Sequence, residues 1–348
     1  MAQAQLTQAG APKLPKVYLP RLAPVAPTVK LLSGYEMPQI GFGTWQIKPN
    51  ATYDRVRDAL DSGYRHIDCS PAWRNQDKVA EAVRRWADDR GVEKSEVFIS
   101  SKIWNTYHSH KNCLAEVDRI LEEIDMPYID LMTIQWPYGW AEDRNGDGDH
   151  FYSPRGPDNW PAQSNIDYLE TWKALESAQK RGKIRSIGFC NFNLQQAERI
   201  WQNCEIKPSV AMVELHPYFN QLEYRRWCQE RGIWLVAHAP LGNPGSNLYR
   251  NHTTPNLLQN ETLQRIAKSH DKTVPQVILR WMIEHDLAAV VKSSQYKPIR
   301  DNIMVFEFKL TKEDISRIDN LNRNLRIINP QVGNNHHPHY PWPHKRTD

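Results

Sequence analysis

From residue 40 onward the chain repeats one pattern: a short run apolar at consecutive positions, then a longer stretch apolar at helical spacing. The eight runs are "IGFGTW", "RHIDCS", "VFISSKIW", "IDLMTIQWP", "IRSIGFCN", "VAMVELHP", "WLVAHAPLG" and "AAVVKSS". Each is rich in β-branched or aromatic residues and ends on a polar, Gly or Pro signal, which predicts strands. Apolar residues at consecutive positions suit strands covered on both faces. Between them lie "QDKVAEAVRRWADDRG", "KNCLAEVDRILEEID", "NIDYLETWKALESAQKRG" and "QLEYRRWCQERG", helix-period segments of which several end in a capping Gly. A hairpin, "VKLLSGYEMPQIG", precedes the series. Eight strands, each leading into a helix, predict a single-domain α/β fold, a (β/α)8 TIM barrel, over residues 28–330. A doubly wound open sheet is the alternative, and the count of eight argues against it. No GxGxxG follows the first strand, so a Rossmann site is not supported.

The ends of the chain break the pattern. Residues 1–27 are rich in Pro and Ala with no apolar core segment, which predicts a disordered tail, or a handle for a protein partner, rather than a signal peptide. Residues 331–348 cluster His336, His337, His339 and His344 without a fixed ligand spacing, so a surface tail is expected there and not a metal site. "DRNGDGD" at 143–149 begins like a calcium loop, but Pro154 stands where the bidentate glutamate belongs.

Charge adds little to this picture. Lys and Arg number 44 against 40 acidic residues, a net charge of +4, with the two signs interspersed. No like-charge run is long enough for a nucleic-acid or membrane arm. No apolar run approaches the length of a transmembrane helix. Five cysteines, widely spaced and without a CxxC, read as reduced thiols of a cytoplasmic protein.

Barrel chemistry sits at the C-terminal ends of the strands. That rule directs attention to Asp68 and the loop behind it, to Lys102, to "QWP" at 135–137, and to the ends of strands five to eight. The ordered motifs "GFGTWQ", "GYRHIDCS", "ISSKIWNTYH", "IDLMTIQWP", "IRSIGFCNFN", "VELHPY", "APLG" and "VVKSS" resemble the aldo-keto reductases from about residue 29 to 330. The resemblance implies metal-free, NADPH-dependent reduction of aldehydes and ketones. In that chemistry a tyrosine protonates the forming alkoxide, a lysine held by an aspartate tunes it, and a histidine orients the carbonyl. The aspartate matches Asp68 and the lysine Lys102, but the tyrosine falls on Trp73 and the histidine on Gln135. Gln135 still offers N–H donors, whereas an indole delivers no proton near neutral pH. His108, Tyr107 and Tyr138 stand near strand ends as substitutes, or as ordinary loop residues.

The cofactor positions implied by the resemblance have changed as well. The pair that grips the carboxamide is Cys190 and Asn191, its companion is Met212, and the ring under the nicotinamide is His238. Lys292 and Ser293 follow strand eight, and Asp301 and Asn302 keep the adenine-side acid and amide. The arginine for the 2′-phosphate is replaced by Pro298, with Lys297 and Arg300 as neighbouring cations. NADPH binding is therefore expected to be weakened. Trp45, Trp136, Trp140 and Trp160 are candidates for an aromatic mouth, Trp45 and Trp136 for the substrate pocket itself. Asp68 and Lys102 have two readings, a retained catalytic pair or a buried ion pair kept for stability.

Three functions follow. The favoured one is a barrel that has lost or strongly weakened carbonyl reduction and serves as a ligand-binding, partner-binding or structural protein. A working NADP(H)-dependent oxidoreductase with an altered acid is the second, and a non-redox enzyme in the same pocket the third.

Overall fold

The computed structural model describes residues 25–142, 153–156, 159–246, 248–249, 253–330 and 334–342. A hairpin of β1 (Thr28–Lys30) and β2 (Glu36–Pro38) opens the fold. The barrel strands begin with β3 (Ile40–Gly43), β4 (His66–Asp68), β5 (Phe98–Ile103) and β6 (Ile129–Ile134). A small antiparallel pair follows, β7 (Gly139–Trp140) with β8 (Gln163–Ser164). The barrel resumes with β9 (Ile184–Cys190), β10 (Val210–Glu214), β11 (Trp234–His238) and β12 (Ala288–Val291). All eight barrel strands are parallel, and β12 pairs with β3 to close the ring, which excludes the open sheet. Every residue of β5, β6 and β10 is buried, as the consecutive apolar runs require.

Ten helices surround the barrel among the described residues: α1 (Pro49–Asp61), α2 (Gln76–Arg90), α3 (His110–Ile124), α4 (Tyr168–Lys180), α5 (Leu194–Asn203), α6 (Leu222–Glu230), α7 (Glu261–Ser269), α8 (Val274–Glu284), α9 (Tyr296–Ile303) and α10 (Lys312–Asp319). Their ends follow local chemistry. Asn193 and Thr273 form reciprocal capping boxes with Gln196 and Gln276, and Gly91 ends α2 at φ 63°.

Two apolar layers result. The larger lies between strands and helices and contains Trp86, Trp172 and Trp281. The smaller fills the barrel, where Met37 and Leu31 of the hairpin meet Phe98, Leu131, Met212 and Val236. The hairpin thus plugs the base, tied there by Trp234 Nε1 donating to the Lys30 carbonyl at 2.9 Å. Among the described residues no helix is long and apolar enough to cross a membrane.

One expectation needs correction. Residues 334–342 do not lie loose on the surface. His337 and Tyr340 are only 4% and 3% exposed, because their rings pack on Tyr138 at 5.7 and 5.9 Å between centroids. The "DRNGDGD" loop, His344 and residues 1–24 lie outside the described residues.

Candidate active site

Asp68 is the last residue of β4, and the next turn determines what covers it. A 3-10 turn over Pro71–Trp73, followed by Arg74 in the left-handed region at φ 55°, folds the chain back over the barrel mouth. Asn75 fixes that return by donating to the carbonyls of Thr44 and Ile47 at 2.9 and 3.0 Å. Lys102 rises from β5 beside it. Its ammonium donates to Asp68 Oδ1 at 2.5 Å and to the Cys69 carbonyl at 3.1 Å. The face of Trp73 lies over the same Nζ, 4.5 Å from the ring centroid. Two oxygens and one ring face thus surround the ammonium.

The pair is buried, with the Lys102 and Asp68 side chains 4% and 3% exposed. Behind it a polar chain runs down the barrel interior. Ser100 Oγ donates to Asp68 Oδ1 at 2.7 Å, and His66 Nε2 meets Ser100 Oγ at 2.9 Å. Burial lowers the His66 pKa to about 4. Gly41 makes room for that imidazole, since a Cβ there would stand 2.7 Å from His66 Nδ1.

Gln135, at the end of β6, completes the group. Its Oε1 accepts from Ser70 Oγ at 2.8 Å, and its carbonyl accepts from Asn191 Nδ2 at 3.0 Å. Asn191, left-handed at φ 63°, in turn meets His238 Nε2 through Oδ1 at 2.8 Å. Burial pushes the His238 pKa down to about 4, so that ring is neutral at physiological pH. The structure therefore brings Asp68, Trp73, Lys102, Gln135, Asn191 and His238 to one mouth. Cys190 points its thiol at Thr133 Oγ1, 3.3 Å away, and burial raises it to about 11. Met212 is 2% exposed and belongs to the barrel-filling cluster.

Lys292 and Ser293 lie past β12, both half-buried. Burial lowers the Lys292 pKa, and no carboxylate pairs with it among the described residues, which suits a phosphate. The two cations near Pro298 are less available. Lys297 is ion-paired to Asp301, and Arg300 Nε stands 4.0 Å from the same carboxylate. Asn302 is buried in α9. The donor set thus fits NADP(H) in part: phosphate-side groups are present, while Cys190 and Met212 offer the carboxamide little.

Trp45, Trp136 and Trp140 join one aromatic cluster with Tyr138, Tyr249, Tyr340 and Trp342, whereas Trp160 stands 48% exposed outside it. Sequence reasoning missed Tyr249, Tyr340 and Trp342 at the mouth. The signal was the aromatic density of "HYPWP" at 339–343. Two of the three substitute acids, His108 and Tyr138, do not serve. His108 is fully buried with its pKa near 3, and burial drives Tyr138 well above its ordinary value. Two shallow hollows, about 440 Å³ beside the C-terminal end of α3 and about 300 Å³ at the barrel base, include none of the mouth residues. The site rests on the convergence of side chains and not on cavity size. Among the described residues no group of three His, Cys, Asp or Glu could hold a metal ion.

The sequence profile of the Aldo/keto reductase family matches residues 39–323. Aldo-keto reductase family 1 member A1-A of Danio rerio is 37% identical over 327 residues, covering 90% of this chain and 98% of its own. Aldo-keto reductase family 1 member A1 of Gallus gallus is 32% identical over 323 residues, covering 90% and 97%. Among solved structures, a Bombyx mori aldo-keto reductase in complex with NADP superposes with a TM-score of 0.82 at 29% identity, covering 92% of this chain and all of that one. The chain belongs to the aldo-keto reductase family.

Proposed function

We propose that this barrel is a ligand-binding member of the aldo-keto reductase family in which carbonyl reduction is lost or strongly weakened. One observation carries the reading: Trp73 covers Lys102 with its ring face at 4.5 Å. The position that should present an ionisable hydroxyl beside the ammonium presents a π surface instead. General acid catalysis of this kind contributes about 10²–10⁴-fold, and among the described residues no phenol bonds Lys102 in its place.

NADP(H) supplies hydride chemistry when bound. Lys292 and Ser293 would hold its phosphates, Asp301 and Asn302 its adenine side, and Asn191 and His238 the nicotinamide side. Loss of an arginine contact at Pro298 costs about 1.5–3 kcal/mol, roughly ten- to a hundredfold in affinity. Binding is therefore weak, with little preference over NADH. The remaining mouth is largely aromatic, with Arg326 at its rim over Trp342, and offers the Gln135 amide N–H to a small carbonyl or other polar ligand. The free thiols and the lack of a spanning helix among the described residues support a cytoplasmic setting. Fluorescence titration with NADPH and NADH, followed by an aldehyde-reduction assay at saturating NADPH, tests the proposal. Tight, NADPH-selective binding with rapid turnover would overturn it.

A further inference from the structure

Residues 334–342 form one wall of the mouth, where Trp342 meets Trp136 edge-on at 5.7 Å and Arg326 covers Trp342 at 3.7 Å. Most of the bonds holding this segment are neutral and indifferent to pH. Gln196 Nε2 donates to the His339 carbonyl at 2.9 Å, Asn193 Nδ2 to the Pro341 carbonyl at 2.8 Å, and Trp140 Nε1 to Asn334 Oδ1 at 3.0 Å. His337 is different. Its Nε2 stands 2.9 Å from the Ser164 carbonyl, which only accepts, so Nε2 carries the proton. Its Nδ1 accepts the His339 backbone N–H at 2.9 Å. The two bonds together require the neutral ring, and a proton on Nδ1 would set N–H against N–H.

Beyond the Ser164 and Gly139 carbonyls, which favour the charged ring less than burial opposes it, the surroundings offer that proton no carboxylate among the described residues. Tyr138 packs on one side of His337 at 5.7 Å and His339 on another at 5.5 Å. His108, from the turn after β5, is fully buried with neither ring nitrogen bonded. It lies against Gly139, where an added Cβ would come 3.3 Å from its ring. Two nearby acids, Asp167 at the start of α4 and Glu142 after β7, are engaged elsewhere. Asp167 holds Arg199 at 2.6 and 2.8 Å, and Glu142 takes Ser109 and Asn112 at 2.6 Å. Tyr340 is bonded to Asn329.

We propose that His337 is a proton-operated latch, whose protonation releases residues 334–342 and opens the mouth at Trp136 and Tyr138. Burial holds both His337 and His339 below the ordinary histidine value. The docked segment is therefore favoured in full above about pH 6.5 and loses its hold as pH falls below it. Each histidine that titrates only after release shifts the balance about tenfold per pH unit, and two acting together about a hundredfold.

Hydrogen exchange of the full chain, read by mass spectrometry at pH 7.5 and 5.5 and corrected for intrinsic rates, tests the latch. The peptide spanning 334–342 should lose at least about tenfold of its protection at pH 5.5, while a β5 peptide keeps its own. His337→Gln retains one donor and one acceptor without titrating, so between the two pH values its segment should lose about tenfold less protection than the native one, the remainder being that of His339. Equal protection of the native segment at both pH values overturns the proposal, and so does a His337→Gln segment that opens with acid like the native one. Should His337→Gln leave the segment open throughout, imidazole NMR of the native protein decides. An Nε2–H ring titrating below 6.5 supports the latch, and any other tautomer or a higher midpoint refutes it.

Discussion

At the residue scale two substitutions separate the site from a different chemistry. Restoring a phenol by Trp73→Tyr, together with Gln135→His, should raise aldehyde turnover by about 10²-fold or more, because a hydroxyl beside Lys102 becomes an ionisable acid. Gln135→His alone should change little, since a well-placed carbonyl still lacks a proton source. NADPH absorbance at saturating cofactor measures both. The ion pair beneath Trp73 makes a separate prediction. Lys102→Met strands the Asp68 carboxylate, 3% exposed, in the barrel and should cost about 3–5 kcal/mol in urea unfolding. Adding Asp68→Asn should recover much of that loss. A Lys102→Met variant as stable as the native protein would mean that the pair is not held for structure.

At the level of elements, the strands were legible and their smallest companions were not. Each barrel strand is buried on both faces, and burial writes itself into consecutive apolar positions such as "DLMTI". β7 and β8 are two residues each and exist only by pairing with one another, so no local pattern marks them. The segment at 334–342 escaped for a related reason. Its rings alternate with Pro and His, and what buries them is Tyr138 and Trp136, about two hundred residues away in the chain. The mouth divides the same way. Asp68, Lys102, Trp73 and Gln135 could be placed from strand ends, but the Ser70 contact that holds the Gln135 amide oxygen depends on a turn no sequence spacing reveals. Strand contact also predicts a sensitive glycine. A Cβ at Gly188 of β9 would fall 2.4 Å from the Val210 carbonyl of β10, a backbone atom that cannot step aside. Gly188→Ala should therefore destabilise the fold by about 1–3 kcal/mol. It should also weaken NADPH binding, since Cys190, Asn191 and Met212 sit on that seam. A lowered Tm with unchanged cofactor affinity would place the shelf elsewhere.

For the whole molecule the buried histidines set the response to acid. His66, His108 and His238 are held neutral by desolvation, with pKa values of about 4, 3 and 4. They belong to different parts of the barrel: the interior polar chain, the turn after β5 and the end of β11. In the unfolded chain each returns to about 6.5. Near pH 5 the unfolded state thus binds about three protons that the native state refuses, and stability rises with pH wherever that is so. Burial likewise depresses His285, His337 and His339, which add to the same slope. Asp58 and Asp130 work in the opposite direction, because burial raises both and lets the native state take up protons early. The histidines outnumber them, so the net sign is set. Tm should stay level between pH 7 and 8, then fall steadily as pH drops from 6.5 toward 4. Calorimetry in buffers of different ionisation heat should register about three or more protons taken up per unfolding event at pH 5. A Tm independent of pH across that window would show that these rings titrate while folded, and the neutral state of the buried imidazoles would lose its physical basis.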